Sequence, residues 1–396
     1  MDDTGLRQRG DAATASGVNP ALLVEAADRW GTPLYVTDLD VALANARQWR
    51  SVLPGALVAY AVKANPDPLL LRRLADDGVG FEVVGPVELA LALRSGCPPD
   101  RIVVNGVGQT NADLIDALGS GALVNAESVG ALNALLRSGV SGRIGIRVNP
   151  GLQADAHPHL ATGAEDAKFG IGMAELPGVL DRMRRSGVEL EAIGSHIGSG
   201  ITDASAYGRL AALMLTIADE AGAQRIDLGG GFAGSPGEHA AAVRPHIPDT
   251  SRLIVEPGRS IVGGAGWLLT GVVRVQARGH LIADAGMTEL LRPMLYGARH
   301  PVTLLTPGAE LPSRDGSWTL SGPICEAGDV LDSELDLGPN AGEGALLAIG
   351  EAGAYGAAMA SNYNGRLRPA QVVIVGGELR LSRRRETLDD LLARDA

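Results

Sequence analysis

The chain has 396 residues, of which 45% are hydrophobic and 20% charged, with a formal net charge of −12. This length allows a large core and more than one domain. The acidic balance, with "RRRE" near the C-terminus as its one basic cluster, argues against nucleic-acid binding. No apolar run reaches membrane-spanning length, and the polar N-terminus lacks the apolar segment of a signal peptide. Cys97 and Cys325 form no disulfide or metal framework, so we expect a soluble, cytoplasmic protein, and the glycine-rich α/β pattern favours an enzyme.

The chain begins with a predicted N-terminal extension, residues 1–30, that is expected to be partly disordered. Residues 31–42, with "TPLYVTDL", predict a strand that joins a later β-domain. Short apolar runs then alternate with amphipathic helical segments over residues 43–262. Eight predicted strands with helical crossovers in about 200 residues favour a (β/α)8 TIM-like barrel over an open sheet. The strands are "ALVAYAV" (56–62), "FEVV" (81–84), "RIVVN" (101–105), "ALVNAE" (122–127), "RIGIRVN" (143–149), "LEAIGSH" (190–196), "RIDLG" (225–229) and "RLIVE" (252–256).

The rhythm of the sequence changes in residues 263–396, where strand-like runs follow one another with turns and little helix. The runs are "WLLTGVVRVQA" (267–277), "GHLIADA" (279–285), "PVTLLT" (301–306), "GALLAIG" (344–350) and "QVVIVGGELRL" (371–381). This pattern predicts a separate C-terminal β-sandwich or barrel domain. Within the first barrel, residues 150–172 form a long, glycine-rich connection, and such loops are often functional.

Barrel enzymes place their chemistry at the C-terminal ends of the strands. Lys63 ends the first strand in "YAVKAN", Glu82 lies in the second, His196 ends the sixth and Glu256 ends the eighth. Taken alone, a strand-end lysine more often extends from the strand tip into water. A lone histidine more often satisfies hydrogen bonds in a core. The combination of these side chains at one end of a barrel favours a functional site.

A glycine-rich stretch, "GGGFAG" at 229–234, follows the seventh strand. It matches G-x-G-x-x-G, and Glu256 lies 22 residues beyond its last glycine, so on its own it would suggest dinucleotide binding. That motif usually opens a βαβ unit, whereas this one falls late in a series of strands. We therefore interpret it as a backbone N–H cradle for a single phosphate.

The strand-end groups together match the requirements of a pyridoxal phosphate (PLP) site. Such a site needs a lysine amine for the Schiff base, a phosphate cradle, an imidazole that covers the ring, and a carboxylate that pairs with the pyridinium nitrogen. The carboxylate keeps that nitrogen protonated, so the ring can accept the electrons left on the substrate Cα. Lys63, residues 229–234, His196 and Glu256 supply these four parts. The barrel is thus predicted to be the PLP-binding domain.

The order of motifs from about residue 30 to about residue 370 resembles the fold-type III PLP-dependent decarboxylases, and the family of diaminopimelate decarboxylases most closely. The motifs are "YAVKAN", "TGAEDAKFGIG", "HIGS", "DLGGGF", "EPGRS", "DAGMTELLRPMLYGARH", "GPICEAGD" and "GAYGAAMASNYN". The resemblance implies PLP as cofactor, a barrel with a β-domain of the alanine racemase and ornithine decarboxylase type, and a homodimer with active sites at the subunit interface.

The resemblance also implies a role for each matching residue. The implied cofactor contacts are Lys63 for the Schiff base, His196 stacked on the ring, Ser199, Gly229, Gly230 and Gly231 at the phosphate, Glu256 at the pyridinium nitrogen and Tyr355 closing over the cofactor. Cys325 matches the acid that protonates Cα after CO2 leaves, acting from the second subunit. Considered singly, Cys325 could be a small buried hydrophobe and Tyr355 a packing residue.

The implied substrate contacts are Arg259, Arg292, Tyr296 and Glu326. Arginines bind carboxylates bidentately, and Glu326 matches the group that holds an ammonium. A distal carboxylate with a distal ammonium describes a diaminodicarboxylate, so we predict decarboxylation of meso-diaminopimelate to L-lysine. The ordinary alternative for Arg292 is a surface charge beside Pro293.

Four departures from the family pattern keep other substrates open. Gly194 stands where the family usually has a second histidine, and Gly200 where it has a glutamine. Glu82 and Gly85 stand where it often has aspartate and serine. The alternative is a decarboxylase of another amino acid, free or conjugated, in a specialised pathway.

Two other classes are less favoured. A racemase would need a tyrosine base where this chain has Cys325, and a non-catalytic PLP-binding protein would be a bare barrel. The remaining histidines and Cys97 have no metal-site spacing and are taken as ordinary residues. These histidines are His157, His159, His239, His246, His280 and His300.

Overall fold

The chain forms two units in the computed structural model, which describes residues 18–152, 162–164 and 166–395. One unit comprises residues 42–261, and the other comprises the described residues of 1–41 and 262–396. His157 and His159 lie outside the described residues. Within the described part of the chain, no helix has the length and apolar character that crossing a bilayer requires.

The secondary structure consists of strands and helices with the following bounds. The strands are β1 (Leu34–Asp38), β2 (Leu57–Ala61), β3 (Gly80–Val83), β4 (Ile102–Val104), β5 (Leu123–Ala126), β6 (Arg143–Asn149), β7 (Ile171–Gly172), β8 (Leu190–Gly194), β9 (Arg225–Asp227), β10 (Leu253–Val255), β11 (Gly266–Gln276), β12 (His280–Ala283), β13 (Val302–Thr306), β14 (Trp318–Ser321), β15 (Val330–Leu335), β16 (Leu346–Ile349), β17 (Ala370–Val375) and β18 (Glu378–Arg383). The α-helices are α1 (Pro20–Trp30), α2 (Leu39–Val52), α3 (Pro68–Asp76), α4 (Pro86–Arg94), α5 (Asn111–Gly119), α6 (Val129–Arg137), α7 (Leu176–Ser186), α8 (Ala204–Ala221), α9 (Pro236–Val243), α10 (Arg259–Val262), α11 (Arg292–Tyr296) and α12 (Leu388–Leu392).

The first unit is a closed barrel of eight parallel strands. The strand order is β5-β4-β3-β2-β10-β9-β8-β6, and pairing of β5 with β6 closes the ring. Strands covered on both faces read as continuous apolar runs, which is why the sequence pattern identified them. The barrel interior is filled by a cluster of small and branched side chains, namely Ala59, Val103, Leu123, Ala192 and Ile254. The predicted barrel is therefore confirmed.

Local hydrogen bonds fix the turn that carries Lys63. The chain leaves β2 through a single helical turn, Val62–Ala64, and enters α3 at Pro68. The Tyr60 hydroxyl donates to the Asn65 carbonyl at 3.1 Å. The Asp67 carboxylate caps α3 by accepting from the N–H groups of Leu69 and Leu70. The lysine is thus held between a buried strand and a capped helix.

The second unit is built on a sheet in which β1 has a central place. β1 pairs antiparallel with β11 and parallel with β17. Alternate residues of β1 point to opposite faces of the sheet. Leu34 and Val36 join a core cluster with Leu23 of α1, whereas Tyr35 joins a second cluster with Leu268. Both faces of the sheet are therefore covered by apolar side chains at this strand.

Two strands of the second unit, β14 and β15, were not among the predicted strands. They pair with each other, and the segment between them contains "GPICEAGD". The run at 371–381 is not one strand but the hairpin β17–β18. Gly376 and Gly377 form its turn with φ of 58° and 78°, a backbone conformation that favours glycine at both positions.

Candidate active site

Lys63 lies at the C-terminal end of β2 and forms an ion pair inside the barrel mouth. Its Nζ is 2.7 Å from Oε2 of Glu82 on β3. The Glu82 side chain is 1% exposed and that of Lys63 is 35% exposed. A lysine that merely reached into water would not be paired with a buried carboxylate. The structure therefore places the amine at a site rather than on an open surface.

His196 follows β8 and contacts the glycine-rich turn. Its Nδ1 accepts a hydrogen bond from the Gly230 N–H at 3.0 Å, so the proton of the neutral ring is on Nε2. Desolvation, followed by the positive charges of Arg147 and Lys63, lowers the pKa of His196 well below its usual value. The imidazole is therefore neutral at physiological pH.

The turn Gly229–Gly231 admits no side chains. A Cβ at Gly229 would lie 2.7 Å from Nδ1 of His196, and one at Gly230 would lie 2.1 Å from the Glu256 carbonyl oxygen. A Cβ at Gly231 would lie 1.8 Å from the Gly198 carbonyl oxygen. Gly229 and Gly231 also have φ of 65° and 93°, which favours glycine. The turn is thus packed closely against the residues that follow β8 and β10.

A test of this close packing is the substitution Gly230→Ala. Because the new methyl group would overlap the Glu256 carbonyl, we expect the free energy of unfolding to fall by about 1–3 kcal/mol, as measured by urea denaturation. The matched control is Gly178→Ala in α7, where a Cβ meets no described atom within 4 Å. That variant should be neutral or slightly more stable. Equal effects of the two substitutions would contradict the packing described.

Ser199 and Arg259 lie together near the same turn. The Arg259 Nη2 donates to the Ser199 Oγ at 3.4 Å. The hydrogen bond brings a predicted substrate-binding residue beside a predicted phosphate-binding residue. Arg259 begins α10, directly after the segment "EPG" that follows β10.

Three carboxyl groups lie buried at the C-terminal end of the barrel: Glu82, Asp227 and Glu256, each at most 5% exposed. Burial raises the pKa of Asp227 to about 6. Burial, followed by the neighbouring charges of Asp227 and Glu82, raises the pKa of Glu256 well above its usual value. Glu256 and Asp227 also share a hydrogen bond, which raises the pKa of Glu256 further. A carboxyl group buried at this end of the barrel is of the type that pairs with a pyridine nitrogen.

Two of the other predicted residues pack together in the second unit. Arg292, the first residue of α11, is 8% exposed, so it is not a surface charge. Its guanidinium carbon lies 5.9 Å from the centroid of the Tyr355 ring. Tyr355 has a φ of 59°, which is uncommon for a residue with a side chain. Tyr296 ends the same helix and is partly exposed.

Cys325 and Glu326 lie on the connection between β14 and β15, and both are exposed. The Asn364 amide Nδ2 donates to the Cys325 sulfur at 3.1 Å. The Tyr363 hydroxyl donates to Oε1 of Glu326 at 2.5 Å, and this hydrogen bond raises the pKa of Tyr363. The exposed Cys325 contrasts with Cys97, whose burial raises the pKa of its thiol to about 12.

The sequence did not single out several polar residues of these sites: Asn105, Glu127, Arg147, Asp227, Tyr363 and Asn364. The Arg147 guanidinium pairs with the Glu127 carboxylate at 2.8 Å and lies 5.1 Å from the Phe169 ring centroid. A signal for the barrel residues was present, since Asn105, Glu127 and Asp227 each fall at the end of an apolar strand. Tyr363 and Asn364 lay within a quoted motif, "GAYGAAMASNYN", but had no role assigned.

One departure from the family pattern has a physical reason in the structure. A Cβ on Gly194 would lie 2.8 Å from the Cβ of Asp227, so this backbone leaves no room for a histidine. At Gly200 and Gly85, a Cβ would meet none of the described atoms within 4 Å. Glu82 retains an acidic group within hydrogen-bond distance of Lys63.

A barrel with an amine, a neutral imidazole, a glycine turn and a buried carboxyl group at its C-terminal end has the parts of a pyridoxal enzyme. Residues 40–263 match the family model "Pyridoxal-dependent decarboxylase, pyridoxal binding domain". The chain belongs to this family of pyridoxal-dependent decarboxylases.

Three relatives within this family match the chain over nearly their full length, and all three are diaminopimelate decarboxylases. The diaminopimelate decarboxylase of Deinococcus radiodurans is 40% identical over 385 residues, covering 94% of this chain and 97% of that protein. The diaminopimelate decarboxylase of Aquifex aeolicus is 36% identical, covering 93% and 92%. The crystal structure of Helicobacter pylori diaminopimelate decarboxylase in complex with L-lysine superposes with a TM-score of 0.86 at 31% identity, covering 94% and 98%. The resemblance predicted from the motifs is confirmed.

Proposed function

We propose that the protein is a PLP-dependent carboxy-lyase that converts meso-diaminopimelate to L-lysine and CO2. The observation that carries this proposal is the full-length similarity to diaminopimelate decarboxylases. It is supported by the chemistry of the barrel mouth, where Lys63, His196, the glycine turn and Glu256 offer an amine, an imidazole, backbone N–H groups and a carboxyl group. When bound, PLP supplies an electron sink for the charge left on Cα as CO2 departs.

The barrel residues have separate tasks in this proposal. Lys63 would hold the cofactor through its amine, and Glu82 orients that amine through its 2.7 Å hydrogen bond. Ser199 and the Gly231 N–H would bind the phosphate, because the N–H groups of Gly229 and Gly230 donate to Asp227 and His196. Neutral His196 would cover the ring face, and the Glu256 carboxylate would pair with the protonated ring nitrogen.

The other predicted site residues, apart from Arg259, belong to the second unit. Tyr355 would cover the cofactor, and Cys325 would supply the proton that Cα receives when CO2 leaves. Arg292, with Arg259 and Tyr296, binds the distal carboxylate. Glu326 binds the distal ammonium. We further propose a homodimer in which Cys325 of each subunit donates its proton in the active site at the barrel of the opposite subunit.

The decisive experiment is CO2 release from a substrate panel of diaminopimelate, lysine, ornithine, arginine and glutamate by the PLP-supplied protein. Release from diaminopimelate alone, with L-lysine as product, supports the proposal. Preferential turnover of ornithine or lysine would overturn the substrate assignment. That result would favour the alternative, a decarboxylase of another amino acid in a specialised pathway. Racemisation without CO2 release would place the protein among the isomerases.

Substrate selectivity is tested by Arg292→Leu. Removing a bidentate arginine–carboxylate interaction from a closed site costs on the order of 2–5 kcal/mol. KM for diaminopimelate should therefore rise by about 30-fold or more, whereas any residual turnover of ornithine, which has no distal carboxylate, should hardly change. Steady-state kinetics with both substrates measures the difference.

The matched control for this substitution is Arg299→Leu. Arg299 lies seven positions further along the chain, is 77% exposed and pairs with Glu334. Its removal should leave both KM values as they are in the wild type. An equal decrease of affinity for both substrates in Arg292→Leu would contradict a role for Arg292 in binding the distal carboxylate.

A further inference from the structure

Asn105, at the C-terminal end of β4, joins two buried carboxyl groups through one amide nitrogen. Its Nδ2 donates to Oε1 of Glu256 at 2.7 Å and to Oε1 of Glu82 at 3.3 Å. The other oxygen of Glu82 is the one that contacts Lys63 at 2.7 Å. The side chains of Lys63, Glu82, Asn105 and Glu256 thus form one continuous chain of hydrogen bonds across the end of the barrel.

The orientation of the Asn105 amide is set from the next strand. Asn125 on β5 donates from its Nδ2 to Oδ1 of Asn105 at 2.9 Å, which turns the Asn105 NH2 toward the carboxyl groups. Space for Asn125 comes from Gly145 on β6, where a Cβ would lie 1.9 Å from Oδ1 of Asn125. That oxygen is buried and has no hydrogen-bond partner among the described residues. An unpaired buried oxygen is costly, so Asn125 serves mainly as a donor to Asn105.

An asparagine suits this position because of the charges that surround it. Asp227 and Glu82 face Glu256 as like charges, and Lys63 faces it as the opposing charge. Arg147 acts on Asp227 from β6. A neutral amide with two hydrogens can bind two carboxyl groups at once without adding a charge that would draw either of them away from its own partner.

We propose that Asn105 is a positioning residue that holds Glu82 against Lys63 and Glu256 toward the ring nitrogen of the cofactor, so that the two carboxyl groups have separate tasks. This inference rests on the proposed function. Because the amide donates to Glu256, it favours the ionised form of that group, which in turn keeps the proton on the ring nitrogen when the cofactor is bound.

The test is a carbon-13 NMR titration of the Asp227 and Glu256 carboxyl groups in the PLP-free protein, with signals assigned through Glu256→Gln. In Asn105→Leu, removal of a hydrogen bond to a charged group should move the upper titration step of the pair upward by about one to two pH units. Asn105→Asp should move it further, because a fourth buried carboxyl group adds repulsion. If leucine prevents folding, Asn105→Ala provides the same measurement with a smaller side chain.

The matched control is Asn149→Leu at the end of β6. Asn149 is also buried, but its Nδ2 donates to the Ala164 backbone carbonyl at 2.8 Å rather than to a carboxyl group. Its removal should leave the titration step unchanged. An unchanged step in the Asn105 variants, in a wild type that decarboxylates diaminopimelate, would overturn this inference alone. A wild type that decarboxylates no member of the panel would overturn the proposed function, and the titration would still show whether Asn105 controls Glu256.

Discussion

Replacing Lys63 with alanine is expected to abolish decarboxylation while the protein still folds. The amine is the proposed attachment point of the cofactor, and its removal should lower kcat by roughly 10³-fold or more, the range seen when a single catalytic group is removed. The Lys63 side chain is partly exposed and is not part of the hydrophobic core, so its truncation should leave the fold intact. Lysine formation and a circular dichroism spectrum measure the two expectations.

The lysine that binds the cofactor can be identified from few candidates in this chain. The sequence contains two lysines, Lys63 and Lys168, and Lys168 is exposed beside the Phe169 ring. Borohydride reduction of the PLP-supplied protein should fix the label on the peptide with Lys63. Lys168→Arg should retain the label and Lys63→Ala should lose it. Recovery of the label on Lys168 in the wild type would remove the basis of the proposed site.

Mixing two inactive variants is expected to restore activity. If Cys325 serves the partner chain, Cys325→Ala and Lys63→Ala are each nearly inactive as homodimers, because every site lacks one group. In a mixed dimer, one of the two sites combines an intact Lys63 with an intact Cys325 of the partner subunit. Random exchange between equal pools makes half of the dimers mixed, so the mixture should reach up to about a quarter of wild-type activity.

The control for this experiment is exchange between differently tagged wild-type chains, which shows that subunits do redistribute. A further control pairs Cys325→Ala with itself under the same conditions, which should stay inactive. If exchange is demonstrated and no activity returns, Lys63 and Cys325 act within one chain and the shared-site proposal is wrong.

The sequence predicted the barrel well because most of its strands are buried on both faces and read as apolar runs. It predicted β14 and β15 poorly because "WTLS" and "VLDSEL" mix polar and apolar residues, so their burial comes from the partners they find in the sheet. In the hairpin β17–β18, the two glycines interrupt what looked like a single run. Pairing with distant partners is not encoded in local composition.

The site residues also divide into those that the sequence predicted and those that became apparent only in the structure. Lys63, His196 and Glu256 were found because each stands at the end of a predicted strand with chemistry that a core does not need. The hydrogen bond between Asn105 and Glu256 joins residues 151 positions apart and exists only because the barrel closes. An asparagine at a strand end often only caps or hydrogen-bonds the backbone, so the residue type alone did not predict a role for Asn105. That role follows from its hydrogen-bond distances to Glu256 and Glu82.

The place of β1 in the sheet of the second unit sets an order of events during synthesis. Leu34 pairs with Ala370, so the strand leaves the ribosome about 340 residues before its partner. At ribosomal rates that interval is on the order of 20–70 s. Residues 42–261 can close their barrel in that time, because every strand they need is already present. β1, with apolar side chains on both faces, must meanwhile wait for β11 and then for β17, and in the cell this interval is when the nascent chain most needs protection from aggregation.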